Sequence, residues 1–124
     1  DLSVSSDQPF VYNAVIIVFN GEVYNYVELR DTLKAEGYKF NTTGDTEVVC
    51  AAYQYWGKEC VKHFVGMWSF AIWDSEKELL FCSRDRFGIK PIYYSRIDNT
   101  LFFSSETIKL KKLQSLCLSL YKVV

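Results

Sequence analysis

Val15-Ile16-Ile17-Val18-Phe19-Asn20-Gly21-Glu22-Val23-Tyr24-Asn25-Tyr26 is the stretch whose reading decides the fold. Its first five residues form an apolar, largely β-branched run, which predicts a fully buried strand. The run stops at Asn20-Gly21-Glu22, where the pattern would carry another hydrophobe. A strand that ends on Asn-Gly and passes into a helix brings a primary amide and an unencumbered backbone N–H to the edge of a core. Those are the donor types of an oxyanion site. Asn-Gly is also a strong turn dipeptide, so a plain strand-to-turn junction competes with that reading.

Downstream, Asn25 is placed to cap a helix and Glu28 to reach back to it, an Asn version of the capping box. Tyr26, Leu29 and Leu33 mark one face of an amphipathic helix that stops at Gly37, and Tyr38-Lys39-Phe40 alternates like a short strand. Gly44-Asp45-Thr46-Glu47 opens a second helix. Val48, Val49, Ala51, Ala52, Tyr53, Tyr55 and Trp56 make it apolar almost all round, so it should be buried on most sides until Gly57 ends it. Lys58 to Phe64 resumes as a shorter helical piece. Asp45 sits where a carboxylate complements the free N–H groups of a helix start, and capping alone would account for it.

From Gly66 the period changes to two. Trp68, Phe70 and Ile72 fall on one face and Ser69, Ala71 and Trp73 on the other, both apolar enough to be covered. Asp74 to Lys77 is a turn and Leu79 to Ser83 the returning strand. Arg84 to Pro91 interrupts with charge, Gly and Pro. Ile92 to Ser95, a turn at Asp98-Asn99, and Leu101 to Ser104 follow, so two successive hairpins predict an antiparallel meander. Upstream, residues 1–14 read as polar and irregular, with Gln8-Pro9 an extended or turn segment. A strand, two helices and then antiparallel strands imply a layered α+β domain.

Composition sets the outer limits. A 124-residue chain with 49% hydrophobic and 17% aromatic residues can build one core without staples. A net charge of −1 provides no single-sign field for nucleic acid or a membrane surface, and no apolar run reaches the length of a membrane span. Cys50, Cys60, Cys82 and Cys117 form no CxxC pair, which argues against a disulfide framework. Cys60-Val61-Lys62-His63 has ligand-like spacing but no second pair to complete a metal site. A reducing, cytoplasmic setting follows, in which Asn41-Thr42-Thr43 is an unmodified loop despite matching the glycosylation sequon. The chain opens on Asp1-Leu2-Ser3, without a Met or a signal peptide, so translation is expected to begin further upstream.

Four ordered strings together carry a resemblance. They are Phe19 to Tyr26; Gly44 to Val48; Gly66-Met67-Trp68-Ser69-Phe70-Ala71-Ile72-Trp73-Asp74; and Arg84-Asp85-Arg86-Phe87-Gly88-Ile89-Lys90-Pro91-Ile92-Tyr93-Tyr94, with Ser105-Glu106 following. From Asp1 to about Ile108 the chain resembles the class II glutamine amidotransferase domain of glutamine-hydrolysing asparagine synthetases. Residues 109–124 then form a Leu-rich tail, either a helix packed on a neighbour or an end with exposed apolar surface. The resemblance implies an N-terminal-nucleophile hydrolase fold, a four-layer αββα sandwich of two antiparallel sheets, here incomplete. It implies glutamine as substrate: an N-terminal cysteine attacks the side-chain amide, and the ammonia passes to an ATP-dependent synthetase domain that amidates aspartate.

Carried over by position, Asn20 would donate its side-chain N–H and Gly21 its backbone N–H to the oxyanion. Glu22 would lie beside the bound glutamine, and Asp45 would accept its ammonium group. The family's Cys-Gly nucleophile and carboxylate-gripping Arg find no counterpart in this chain, nor does the synthetase domain; Thr107 looks like an insertion. The chain is therefore expected not to turn glutamine over. ATP and Mg are expected only in the synthetase domain and no cofactor in this one, with a homodimer possible for the full-length enzyme. The competing reading is a catalytically inactive binding or interaction domain that keeps the fold; another is a truncated product that does not fold alone.

Overall fold

A computed structural model describes residues 8–104 and 121–122. The larger sheet has the order β1-β2-β3-β4, from β1 (Phe10–Tyr12), β2 (Val15–Val23), β3 (Gly66–Asp74) and β4 (Leu79–Arg84), all antiparallel. β2 pairs with β3 along its whole length, from Val15 opposite Asp74 to Val23 opposite Gly66. The β1 strand lies inside the segment expected to be irregular. Phe10-Val11-Tyr12 are β-formers, and Asn13, at φ 51°, supplies the positive-φ turn that folds them back on β2.

Two helices, α1 (Tyr26–Ala35) and α2 (Asp45–Trp56), cover one face of this sheet, and a 3-10 segment (Gly57–His63) continues from α2. Every residue of α2 from Thr46 to Tyr53 is buried, as its all-round apolar pattern requires. α1 contributes Leu29 and Leu33, and the core joins these to Val15, Ile17, Phe19, Phe70 and Ile72 from the sheet. α1 begins after Asn25 as expected, but no capping box forms. Asn25 Oδ1 accepts the Val65 N–H at 2.9 Å and its Nδ2 donates to His63 O at 2.8 Å, so its carboxamide is committed to the loop before β3.

Three other expectations are corrected. β2 is buried on one face only, because helices cover just that side. Val15, Ile17, Phe19 and Val23 point inward, while Ile16 and Val18 are exposed. Tyr38-Lys39-Phe40 is not a strand. Tyr38 N–H closes on Leu33 O at the end of α1 and Lys39 O accepts the Tyr12 hydroxyl, which leaves the segment no ladder to join. The two hairpins do not form one meander either. β5 (Tyr93–Ile97) and β6 (Thr100–Ser104) belong to a second sheet with β7 (Tyr121–Lys122), in the order β6-β5-β7.

The segment from Arg84 to Ile92 carries the chain from one sheet to the other, and Ser69 Oγ in β3 donates to Pro91 O at 3.0 Å where it arrives. The architecture is thus α+β with two antiparallel sheets, and the described residues include helices, sheet and sheet in that order of layers. The Leu-rich tail lies outside the described residues, apart from Tyr121–Lys122, which form β7.

Candidate active site

Asn20 stands in β2 opposite Ser69, on the face turned away from the helices. There it lines a cavity of about 340 Å³ whose walls include Gln8, Ser69, Phe70, Ile92 and Phe103. The larger sheet supplies the floor and residues of the second sheet one wall. An exposed carboxamide at the edge of a half-apolar cavity is the arrangement expected of a hydrogen-bond donor to a small polar ligand.

Gly21 owes its identity to packing. Its φ is 141°, and a Cβ there would lie 2.1 Å from Met67 O and 2.7 Å from the Trp68 Cα. Gly66 mirrors it from the partner strand: at φ 152°, a Cβ would lie 2.1 Å from Glu22 O. The two glycines let β2 and β3 close together beside the cavity, so cross-strand contact by itself requires a glycine here.

Asp45 is the first residue of α2, and the N-cap position itself is Gly44. The Asp45 carboxylate accepts the Val23 N–H at 2.9 Å, tying the start of α2 to the end of β2. Burial pushes its pKa up; the N–H groups of Val23 and of the first turn of α2 pull the other way, and the neighbouring Glu22 carboxylate adds to the rise. Among the described residues no cation pairs with it. The structure therefore brings Glu22 and Asp45 together. Asn20 lies two residues before Glu22 on the same strand and faces a cavity whose walls include neither Asp45, Gly21 nor Glu22.

A larger cavity, about 840 Å³, opens between β1 and residues 36–42, away from these four residues. Its polar wall is already committed. Glu47, 1% exposed, accepts the N–H groups of Asn41 and Thr42 and the Thr42 hydroxyl, and Tyr12 donates to Lys39 O.

No described cysteine fits a nucleophile. Cys50 and Cys60 are fully buried, burial lifting the first thiol well above its usual range and the second to about 12; burial also raises Cys82. His63 stacks on Trp56 with ring centroids 4.0 Å apart, and among the described residues no cluster of three metal-ligating side chains occurs.

Sequence reasoning passed over three side chains. Gln8 binds both backbone groups of Phe19. Glu47 holds the loop before α2. Asp85, 5% exposed, accepts N–H groups from Trp68, Phe87, Ile89 and Lys90, while Arg84 donates to Lys90 O and Gly88 O. Asp85 was the only one with a local signal, in the Gly88 and Pro91 that follow it. The other two depend on partners remote in sequence.

Residues 1–122 match the family model described as a glutamine amidotransferase domain. Asparagine synthetase [glutamine-hydrolyzing] 1 of Bacillus subtilis is 49% identical over 90 residues, 73% of this chain and 14% of that protein. Asparagine synthetase [glutamine-hydrolyzing] 2 of the same organism is 42% identical over 105 residues, 83% of this chain and again 14% of that protein. The chain thus spans about a seventh of the length of these curated relatives. Among solved structures, the glutamine phosphoribosylpyrophosphate amidotransferase of B. subtilis, complexed with ADP and GMP, superposes with a TM-score of 0.76 at 19% identity, covering 99% of this chain and 28% of that one. With two antiparallel sheets in place and relatives at more than 40% identity, the chain belongs to the glutamine amidotransferase domain family, on the N-terminal-nucleophile hydrolase fold.

Proposed function

We propose that this chain carries the glutamine-recognition and oxyanion-stabilising part of a glutaminase site that supplies ammonia to an ATP-dependent synthetase domain, as the names of its relatives suggest. The observation that carries the reading is the placement of Asn20. Its carboxamide lines the cavity between the sheets, while two carboxylates, Glu22 and Asp45, gather at the end of the same strand with no cation paired to Asp45 among the described residues. The amide of a bound glutamine would lie at Asn20 and Gly21, where two N–H donors meet the negative charge that develops on its oxygen. Its ammonium would reach toward Asp45, with Glu22 alongside. A half-buried carboxyl held up by desolvation is relieved when a cation arrives, which selects an amino acid over a plain amide.

Cys50, Cys60 and Cys82 do not suit the attacking role, because burial raises each thiol further from the thiolate that attacks. The same observation supports the second reading, a domain that binds an amino acid without turnover. No cofactor is assigned to this domain, and ATP and Mg would serve the amidation in the partner domain. Among the described residues Cys50, Cys60 and Cys82 are free thiols, which suits a reducing cytoplasm.

Titration calorimetry tests the assignment. The chain should bind L-glutamine only weakly, since the family's carboxylate-gripping Arg has no counterpart here, and should discriminate against glutaramate, which lacks the α-amino group. Asn20→Ala should weaken L-glutamine, and Asp45→Asn should abolish the discrimination. In the intact enzyme, Asn20→Ala should lower kcat by about 10²–10³. Equal binding of the two ligands by the parent chain would refute the role given to Asp45.

A further inference from the structure

On one side Asn20 has a ladder partner, Ser69 of β3. On the other, β1 stops short of it. The β1–β2 register pairs Tyr12 with Val15, Val11 with Ile16 and Phe10 with Ile17, and its continuation sets residue 8 opposite residue 19. Antiparallel pairs alternate between those that exchange both backbone bonds and those that exchange none. A two-residue turn closes on Tyr12 and Val15, so Phe10–Ile17 and 8–19 both fall in the bonded class.

The chain leaves the ladder before Phe10, yet the 8–19 pair is completed by a side chain. Gln8 Nε2 donates to Phe19 O at 2.6 Å, and the Phe19 N–H donates to Gln8 Oε1 at 2.6 Å. A primary carboxamide presents one donor and one acceptor in a plane, the pair of groups a strand residue would have offered.

The consequence falls on the next residue. The carbonyl of Phe19 and the nitrogen of Asn20 share one planar peptide unit. Holding that carbonyl fixes the plane from which the Asn20 side chain projects, and Gln8 lines the same cavity. We infer that Gln8 is a positioning residue for Asn20: its carboxamide extends the sheet by one pair and so aims the oxyanion donor into the cavity. The inference rests on the reading of Asn20 given above.

The test is NMR on the full chain and on two variants. Gln8→Met keeps the length and removes both bonds. Gln8→Glu keeps an acceptor for the Phe19 N–H and sets a carboxylate against the Phe19 carbonyl. In the parent chain the Gln8 side-chain NH₂ protons should exchange slowly and the Phe19 amide should be protected. In Gln8→Met, exchange at Phe19 should rise about tenfold, the ratio equivalent to one ordinary hydrogen bond. The Asn20 order parameter should fall from about 0.85 toward 0.6 while Ile17 keeps its value, and L-glutamine binding should weaken in step.

Gln8→Glu should protect the Phe19 amide and still loosen Asn20. A lower Tm with Asn20 as ordered as in the parent chain would reduce Gln8 to a sheet-edge cap and overturn the proposal. Fast exchange of the Gln8 NH₂ protons in the parent would overturn it without any variant. A parent chain that takes up no L-glutamine would instead refute the reading of Asn20 itself, and Gln8 would then be judged on the order of Asn20 alone.

Discussion

The raised pKa of Asp45 predicts that its charge costs stability at neutral pH, and its substitution separates stability from recognition. Its folded pKa is raised, by burial first, above the ordinary aspartate value of about 3.9. Its contribution is therefore complete below the unfolded pKa and is lost as pH rises through the folded pKa, so near pH 7 the charged form costs stability. Asp45→Asn keeps an acceptor for the Val23 N–H and removes the charge. It is expected to raise Tm at pH 7 more than at pH 4 while weakening L-glutamine, checked by melts at both pH values beside the titration; a lower Tm at pH 7 would contradict it. Gly21→Ala must push Met67 O away, and a loss of about 1–3 kcal/mol or more is expected in denaturant titrations. The sequence marked Asn20-Gly21 as a polar break in a hydrophobic run, but the reason for the glycine was not legible, since the atom it avoids belongs to β3. Gln8 was illegible for the same cause.

The elements that could be read were those whose pattern is local. α2 announced itself by an unbroken apolar surface, and β3–β4 by a period of two closed by a turn. Tyr38-Lys39-Phe40 had the alternation without a neighbouring strand to pair with, and alternation alone does not make a sheet. The break between the hairpins was legible as an interruption and as scaffolding, but not the residue it is organised on, Asp85. Burial pushes the Asp85 carboxyl up, but the N–H groups of Lys90, Ile89, Trp68 and Phe87 outweigh it and hold the carboxyl below its usual range. Its contribution is present above the unfolded pKa and disappears as pH falls through the folded pKa. Asp85→Ala is expected to speed amide exchange at Ile89 and Lys90 first and to flatten the acid limb of the stability profile. An unchanged acid limb would mean that the connection does not depend on the Asp85 carboxylate.

For the whole molecule, thiol chemistry reports how the layers open. Cys50 and Cys60 lie in the helical layer with their thiols fully buried, and Cys82 sits half-buried in β4. Pulse alkylation read by mass spectrometry is expected to mark Cys82 before the other two, which should react only at the rate of global opening. Prompt labelling of Cys50 would show that the helices detach by themselves. The longest ladder has a further consequence, for how the chain reaches this state. β2 and β3 are paired end to end, yet both helices lie between them in sequence. The β3–β4 hairpin and the α1–α2 pair can assemble from near neighbours, whereas β2 must wait for a large loop to close, which slows folding. During that wait β3 presents an open, apolar edge to other molecules. Recovery from denaturant should accordingly fall as protein concentration rises, and dilution should restore it.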